Sequence, residues 1–372
     1  MRQGGCIPPA SGTGRVRAVV SRRPRRIASI PGMVRSSLLL AVLLVVAGAL
    51  PAASTDGGGR PVPDPPLTAF SRPPPNDTAE AAKAAAPEPP AVDGLVRGEF
   101  AGMPAWLIHT PEASAAISVF GGQLLSFVPR GGTEVFWLSP LRAALPTPIR
   151  GGVPVCWPYF GTLGQMPGMP AHGLVRDVPW TLRAARDDGA DGLVLELEPA
   201  PAGHLPLRVR MEVRIGKRLV QTLVSENVSD RSVVFTEALH NYFRVDRVTA
   251  VRVEGVAGLA YLDKREHGRP GHQLGPWRWP ASGYSDRIYI GTGTHFVLDD
   301  PGLRRRIRID TSGSHTTLIW NPGPETARYM PDVGPHWPGF LAVETANITP
   351  DAVRLAPGER HRLQQVIEVE KP

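Results

Sequence analysis

Leu207-Arg208-Val209-Arg210-Met211-Glu212-Val213-Arg214-Ile215 alternates apolar and polar side chains along its whole length. Successive side chains of a strand leave opposite faces, so this period of two is what a β-strand with one buried face must carry. Gly216-Lys217 then offers a turn and Leu219 to Val224 continues as a second strand, which predicts a hairpin. Leu193 to Leu197 and Arg306 to Ile309 repeat the alternation, Gly and Pro punctuate the rest, and no long stretch shows a 3.6-residue apolar period. Many short strands between turn signals predict an all-β, sandwich-type fold.

Outward from the hairpin, the limits of the folded part are set by composition. The chain has 372 residues, 42% hydrophobic and 20% charged, enough for one large domain or two ordinary ones. All eight tryptophans lie from Trp106 to Trp337, and Phe70 is the conspicuous aromatic residue before Leu95, so the domain is expected over 95–372. The net charge of +7 suggests a nucleic-acid or membrane partner only until it is located. Residues 1–55 hold eight arginines and no acidic residue; without them 33 of the 41 basic residues face 34 acidic ones. A folded basic face is therefore not indicated, and no nucleic-acid partner is expected.

Met33-Val34-Arg35, the apolar run Leu38 to Leu50 and the small residues Pro51-Ala52-Ala53-Ser54 have the layout of a secretory signal peptide, which makes 1–54 a leader with Met33 as its start and an exported protein the expectation. The run is shorter than the roughly 20 residues that span a bilayer, so no stable membrane span is expected once the leader is removed. An Arg-rich, acid-free segment also fits an organelle transit peptide, so an organelle-targeted or a cytoplasmic protein is the alternative. Residues 55–94, with ten prolines from Pro61 to Pro90, read as a disordered tether. Cys6 and Cys156 leave no internal disulfide after leader removal, and Cys156, in an apolar Pro-rich run, reads as a buried inert thiol. No metal-ligand cluster, phosphate-cradling Gly loop or nucleophile elbow is found, and no cofactor is expected.

The densest stretch runs from Arg150 through Gly151-Gly152-Val153-Pro154-Val155-Cys156-Trp157-Pro158-Tyr159-Phe160-Gly161 to Pro170-Ala171-His172-Gly173-Leu174-Val175-Arg176. Together with Leu239-His240-Asn241-Tyr242-Phe243, Asp286-Arg287-Ile288-Tyr289, Val343-Glu344 and the closing Val353 to Gly358, it resembles the aldose 1-epimerase superfamily, most closely its hexose-6-phosphate mutarotase branch. The resemblance covers about residues 96–371. It implies a β-supersandwich of the galactose mutarotase type with an open sugar cleft on one sheet. It also implies His240 as general acid, Glu344 as general base, and Arg150, His172, Arg176 and Asp286 around a sugar or sugar phosphate. Asn241 stands where relatives commonly carry threonine.

The chemistry of those residue types agrees. Interconverting α and β anomers removes the anomeric hydroxyl proton, adds one to the ring oxygen and recloses the ring on the other carbonyl face. That takes one base and one acid: a carboxylate with an ordinary value of about 4 accepts, and an imidazole near 6.5 donates. Arginines present paired, permanently charged donors to a phosphate. Against these readings stand plainer ones. His240 read alone is a satisfied core histidine, Glu344 a solvent-facing strand residue, His172, Arg176 and Arg150 turn or ion-pair residues, and Asp286 a turn aspartate. Trp157, Tyr159, Phe160 and Trp320 are either a stacking floor for a pyranose or core. Three functions follow: a mutarotase of a phosphorylated or free sugar, a non-catalytic carbohydrate-binding protein on the same fold, or a glycoside hydrolase. The last needs two carboxylates flanking the scissile bond, and the motif blocks offer one.

Overall fold

A computed structural model of the chain describes residues 66–70, 91–162, 165–201 and 205–370. Nearly all regular structure is antiparallel β. A nine-stranded sheet runs in the order Trp277–Arg278, Arg252–Glu254, His295–Asp300, Arg305–Ser312, Arg360–Glu370, Leu219–Asn227, Leu207–Ile215, Leu193–Pro199 and Trp180–Asp187. An eight-stranded sheet runs Arg269–His272, Ala260–Asp263, Ser285–Ile290, Thr316–Asn321, Phe340–Asn347, Glu237–Leu239 and Val155–Cys156, with Tyr242–Arg244 also paired to Phe340–Asn347. A four-stranded meander, Leu95–Phe100 to Leu124–Pro129, precedes them.

The hairpin expected from the alternation forms, with Leu207 opposite Asn227 and Ile215 opposite Leu219. Its apolar positions are buried, from Leu207 and Val209 to Ile215. They join Trp106, Trp157, Trp180, Trp277, Phe127 and Phe243 in the main core, which also takes Ile319, Leu239 and Val343 from one face of the eight-stranded sheet. The opposite face of that sheet carries its own apolar cluster of Cys156, Phe160, Ala238, Ile288, Leu318 and Ala346. Cys156 is thus buried, and its burial pushes the thiol up to about 12.

The leader 1–54 lies outside the described residues, as does most of the proposed tether. Residues 66–70 do not behave as a tether. The Thr68 N–H donates to the Val234 carbonyl at 2.8 Å, Val234 N–H donates to Thr68 Oγ1 at 2.9 Å, and Phe70 is 2% exposed, stacked 6.4 Å from Tyr159. One buried phenyl ring contributes about 1.5–3 kcal/mol, which offsets the ordering of a short segment that is otherwise polar or Pro-rich. Among the described residues no helix is long and apolar enough to cross a membrane.

Candidate active site

Strands Glu237–Leu239 and Tyr242–Arg244 both pair with Phe340–Asn347, the first ending at Leu239 opposite Thr345 and the second starting at Tyr242 opposite Ala342. His240 and Asn241 therefore face Val343 and Glu344 across a gap in the ladder. Their neighbours turn to the Arg150–Cys156 run instead: His240 N–H donates to the Pro154 carbonyl at 3.0 Å and Tyr242 N–H to the Gly152 carbonyl at 2.9 Å. This close approach explains Gly151-Gly152. Gly152 has φ +60°, and a Cβ there would lie 2.2 Å from the Leu124 carbonyl oxygen.

Register then assembles the face. Glu344, Leu318, Ile288 and Leu262 stand opposite one another on four adjacent strands, and Ala342, Trp320 and Asp286 form the next row but one on the same face. His240 Nε2 lies 3.2 Å from Glu344 Oε1, with His240 7% and Glu344 1% exposed. The imidazole stacks on the Tyr242 ring, centroids 4.6 Å apart and planes 4° from parallel. Arg150 braces that ring, donating from Nη1 to the Tyr242 hydroxyl and from Nε to Asp332 Oδ2, both at 2.8 Å. Neither Glu344 oxygen nor His240 Nδ1 has a hydrogen-bond partner, so the pair's polar atoms are left for something else to engage.

His172 completes the face from the Gly161–Arg176 loop. Its backbone is left-handed at φ 67°, its N–H donates to the Gly161 carbonyl at 2.8 Å, and Gly161 N–H donates to Nδ1 at 3.3 Å. An accepting Nδ1 on a neutral ring leaves the proton on Nε2, a donor. The ring meets Phe160 edge-on at 4.7 Å and His240 at 5.8 Å. On the far side, Asp286 accepts from the Tyr284 hydroxyl at 3.2 Å and lies 3.8 Å from Lys264 Nζ, which sits over the Phe160 ring at 5.4 Å.

Burial dominates the titration of the site. It drives Glu344 well above the ordinary carboxylate value, against the charges of Lys264 and Arg176, and drives His240 well below 6.5, aided by His172, Arg176 and Arg150. His172 falls to about 3 from burial and the same cations. The ordinary values used in reading the sequence therefore do not apply here. Both shifts favour the uncharged forms, a protonated carboxyl beside a neutral imidazole. Arg150 stays charged: burial pulls it down, but Tyr242 and Asp332 raise it further.

Of the six residues singled out in the sequence, His240, Glu344, His172 and Asp286 lie along this face, Arg150 reaches it through Tyr242, and Arg176 is near enough for its charge to bear on Glu344, His240 and His172. The four aromatics divide. Trp157 and Tyr159 belong to the main core, whereas Phe160 and Trp320 stand beside the histidines, Trp320 at 6.0 Å from His240. Sequence reading missed Lys264, Asp332 and Tyr284, which lie in no motif block, and gave no role to Tyr242. Among the described residues no group of three or more His, Cys, Asp or Glu side chains is placed to hold a metal ion.

Comparison with known proteins matches residues 104–368 to the family described as Aldose 1-epimerase. An Escherichia coli K12 protein named "Putative glucose-6-phosphate 1-epimerase" is 34% identical over 257 residues, 64% of this chain and 82% of that protein. A Salmonella typhimurium LT2 protein of the same name is 33% identical over 278 residues, 71% of this chain and 90% of that protein. The crystal structure of a "putative mutarotase" from Salmonella typhimurium superposes with a TM-score of 0.69 at 28% identity, covering 79% of this chain and 99% of that one.

Proposed function

The chain belongs to the aldose 1-epimerase family, and from that premise we propose that it is an isomerase that interconverts the α and β anomers of a hexose 6-phosphate of the glucose type, with His240 and Glu344 as its proton-transfer pair. The observation that carries this reading is the 3.2 Å approach of an imidazole and a carboxyl, with His240 Nδ1 and both Glu344 oxygens left without hydrogen-bond partners. A pyranose held over them presents its anomeric hydroxyl to one group and its ring oxygen to the other. With the carboxyl proton passed to His240, Glu344 accepts the hydroxyl proton while His240 donates to the ring oxygen. Ring opening frees the C1 to C2 axis to rotate, and reclosure runs the transfers backwards on the other face. Moving the proton from Glu344 to His240 exchanges none with solvent, so no outside acid or base is required. Carbohydrate binding follows the same face: Asp286 accepts sugar hydroxyls, His172 Nε2 donates, and Trp320 and Phe160 offer apolar surface.

The phosphate is assigned by charge. Arg150 is held by Asp332 and Tyr242, while Arg176 Nε has no partner and the Lys264 side chain is 40% exposed. The signal-peptide layout of residues 33–54 supports export, and with it a second reading: an unphosphorylated or polymer-derived hexose at the same face. Exchange spectroscopy on freshly dissolved α-glucose 6-phosphate and α-glucose decides between them. Faster anomer exchange of the phosphate ester alone supports the first substrate and of glucose alone the second. Sugar binding without acceleration of either would leave a carbohydrate-binding protein. Fractionation of a fusion starting at Met33 tests the compartment.

A further inference from the structure

The gap in the ladder that sets His240 against Glu344 needs something to hold it open at one width. The N–H groups of His240 and Asn241 turn to the Pro154 and Leu239 carbonyls, and side chains bridge the gap itself. Asn241 reaches the facing strand, its Nδ2 donating to the Val343 carbonyl at 2.9 Å. A second bridge comes from the other sheet. Gln365, on Arg360–Glu370 of the nine-stranded sheet, reaches across the core with its whole side chain buried. Its Oε1 accepts from Asn241 Nδ2 at 2.7 Å and from the Thr345 hydroxyl at 3.0 Å, and its Nε2 donates to Asn241 Oδ1 at 2.8 Å and to Gln221 Oε1 at 3.0 Å. Asn241 is the residue after His240, and Thr345 is the residue after Glu344.

We infer that Gln365 is a positioning residue for the epimerase reaction: one buried amide tied at once to the residue following the imidazole and to the residue following the carboxyl, which fixes the distance between the two. The physical grounds are geometric. Side chains alternate across a strand, so Thr345 points into the core while Glu344 points to the sugar face, and a tether on one sets the other. An amide with a paired acceptor and donor holds Asn241 in one orientation, and with it the main chain on which His240 sits. Gln365 and Asn241 are both fully buried, so a misplaced amide there leaves costly unpaired polar atoms. A threonine in place of Asn241 is too short to make the same reciprocal pair. The longer asparagine and Gln365 are therefore read together, as two halves of one device.

This inference rests on the proposed proton-transfer pair, and the test separates the two. Anomer exchange of α-glucose 6-phosphate is measured with the full chain, alongside melting temperature, for wild type, Gln365→Met, Gln365→Glu and Gln221→Leu. Gln365→Met keeps the length of the side chain and removes its donor and acceptor; kcat is expected to fall by about 100-fold with KM within about threefold, the signature of displaced reacting groups under unchanged binding. In Gln365→Glu, burial lifts the carboxyl to about 8–9, so the protonated acid still accepts from Asn241 and Thr345 and donates once. Activity is therefore expected near wild type at pH 6 and lost toward pH 9 at temperatures where the melting curve at each pH shows the variant still folded, which separates misplaced reacting groups from unfolding. Gln221→Leu, which removes only the outer partner, is expected to lower melting temperature and leave kcat within about threefold. A folded Gln365→Met with wild-type kcat overturns the inference, and so does a Gln365→Glu profile that parallels wild type. Should Gln365→Met not fold, the Gln365→Glu profile decides alone. A wild-type protein that speeds no exchange overturns the proposed function instead.

Discussion

Among the described residues two glutamates are buried beside histidines on opposite faces of one sheet, and the two pairs differ in what surrounds them. On the outer face His240 lies 3.2 Å from Glu344; on the inner face, toward the nine-stranded sheet, His361 Nε2 lies 3.5 Å from Glu237 Oε1. Both carboxyls are pushed up by burial, Glu237 to about 8. The inner one is cushioned, with Ser225 donating to Glu237 Oε2 at 2.8 Å, Trp157 Nε1 donating to Ser225 at 3.0 Å, and His361 shared with Asn347 Oδ1 at 3.1 Å. The outer one has no hydrogen bond on either oxygen and lies within the field of Lys264 and Arg176. Burial and a histidine alone therefore do not mark a reactive acid. Its mark is a carboxyl left without internal donors on a face where cations wait for an anion.

The contrast is broken most forcefully at the outer pair. His240→Ala and Glu344→Gln are each expected to lower kcat by about 10²–10⁴-fold, read by anomer exchange, and Glu344→Gln, which keeps the shape of the side chain, should leave melting temperature within a few degrees of wild type. Because His240 is shifted down and Glu344 up, kcat is expected to show no break at the ordinary imidazole value of about 6.5 and to fall only on the alkaline side, as Glu344 ionises.

Glu237→Gln should leave exchange within about twofold and change stability instead. Folding raises this carboxyl from 4.5 to about 8, so the folded protein binds the proton more tightly than the unfolded chain does. Its contribution is complete below the unfolded value and is lost as pH rises from about 4.5 to 8, on the order of 5 kcal/mol. The variant should therefore gain on wild type across that window in thermal unfolding, and a difference that stays constant with pH would contradict the assignment. Ser225→Ala strips the inner glutamate of its donor and Trp157 of its acceptor; a loss of about 1–3 kcal/mol in denaturant unfolding, with activity retained, is expected. The smallest effect is Lys264→Ala, about fivefold in KM for glucose 6-phosphate and little for glucose, since an exposed cation contributes about 1 kcal/mol.

Much of this was legible before any coordinates. Leu207–Ile215 declares its faces because a period of two is a local property, and the motif blocks around His240, Glu344 and His172 are each contiguous. What stayed hidden is what the fold brings together from afar. Gln365 meets Asn241 from 124 residues along the chain, and Glu237 meets His361 by the same route. Neither partner carries a signal in its own neighbourhood, where a glutamine or histidine on an alternating strand is ordinary. Lys264 was hidden for another reason: it begins a charged stretch, Lys264-Arg265-Glu266, that reads as solvent-facing, and only the pairing of Ala260–Asp263 with Ser285–Ile290 carries it to Asp286. Phe70 misled through its surroundings, since a lone aromatic in a proline-rich stretch gives no hint of a receptor beside Tyr159.

That seated phenyl ring changes how the N-terminal region is connected. With Phe70 held in the interior beside Tyr159, the packed domain begins upstream of its first strand at Leu95, so a protein cut back to that strand would bare one face of the Tyr159 ring to water.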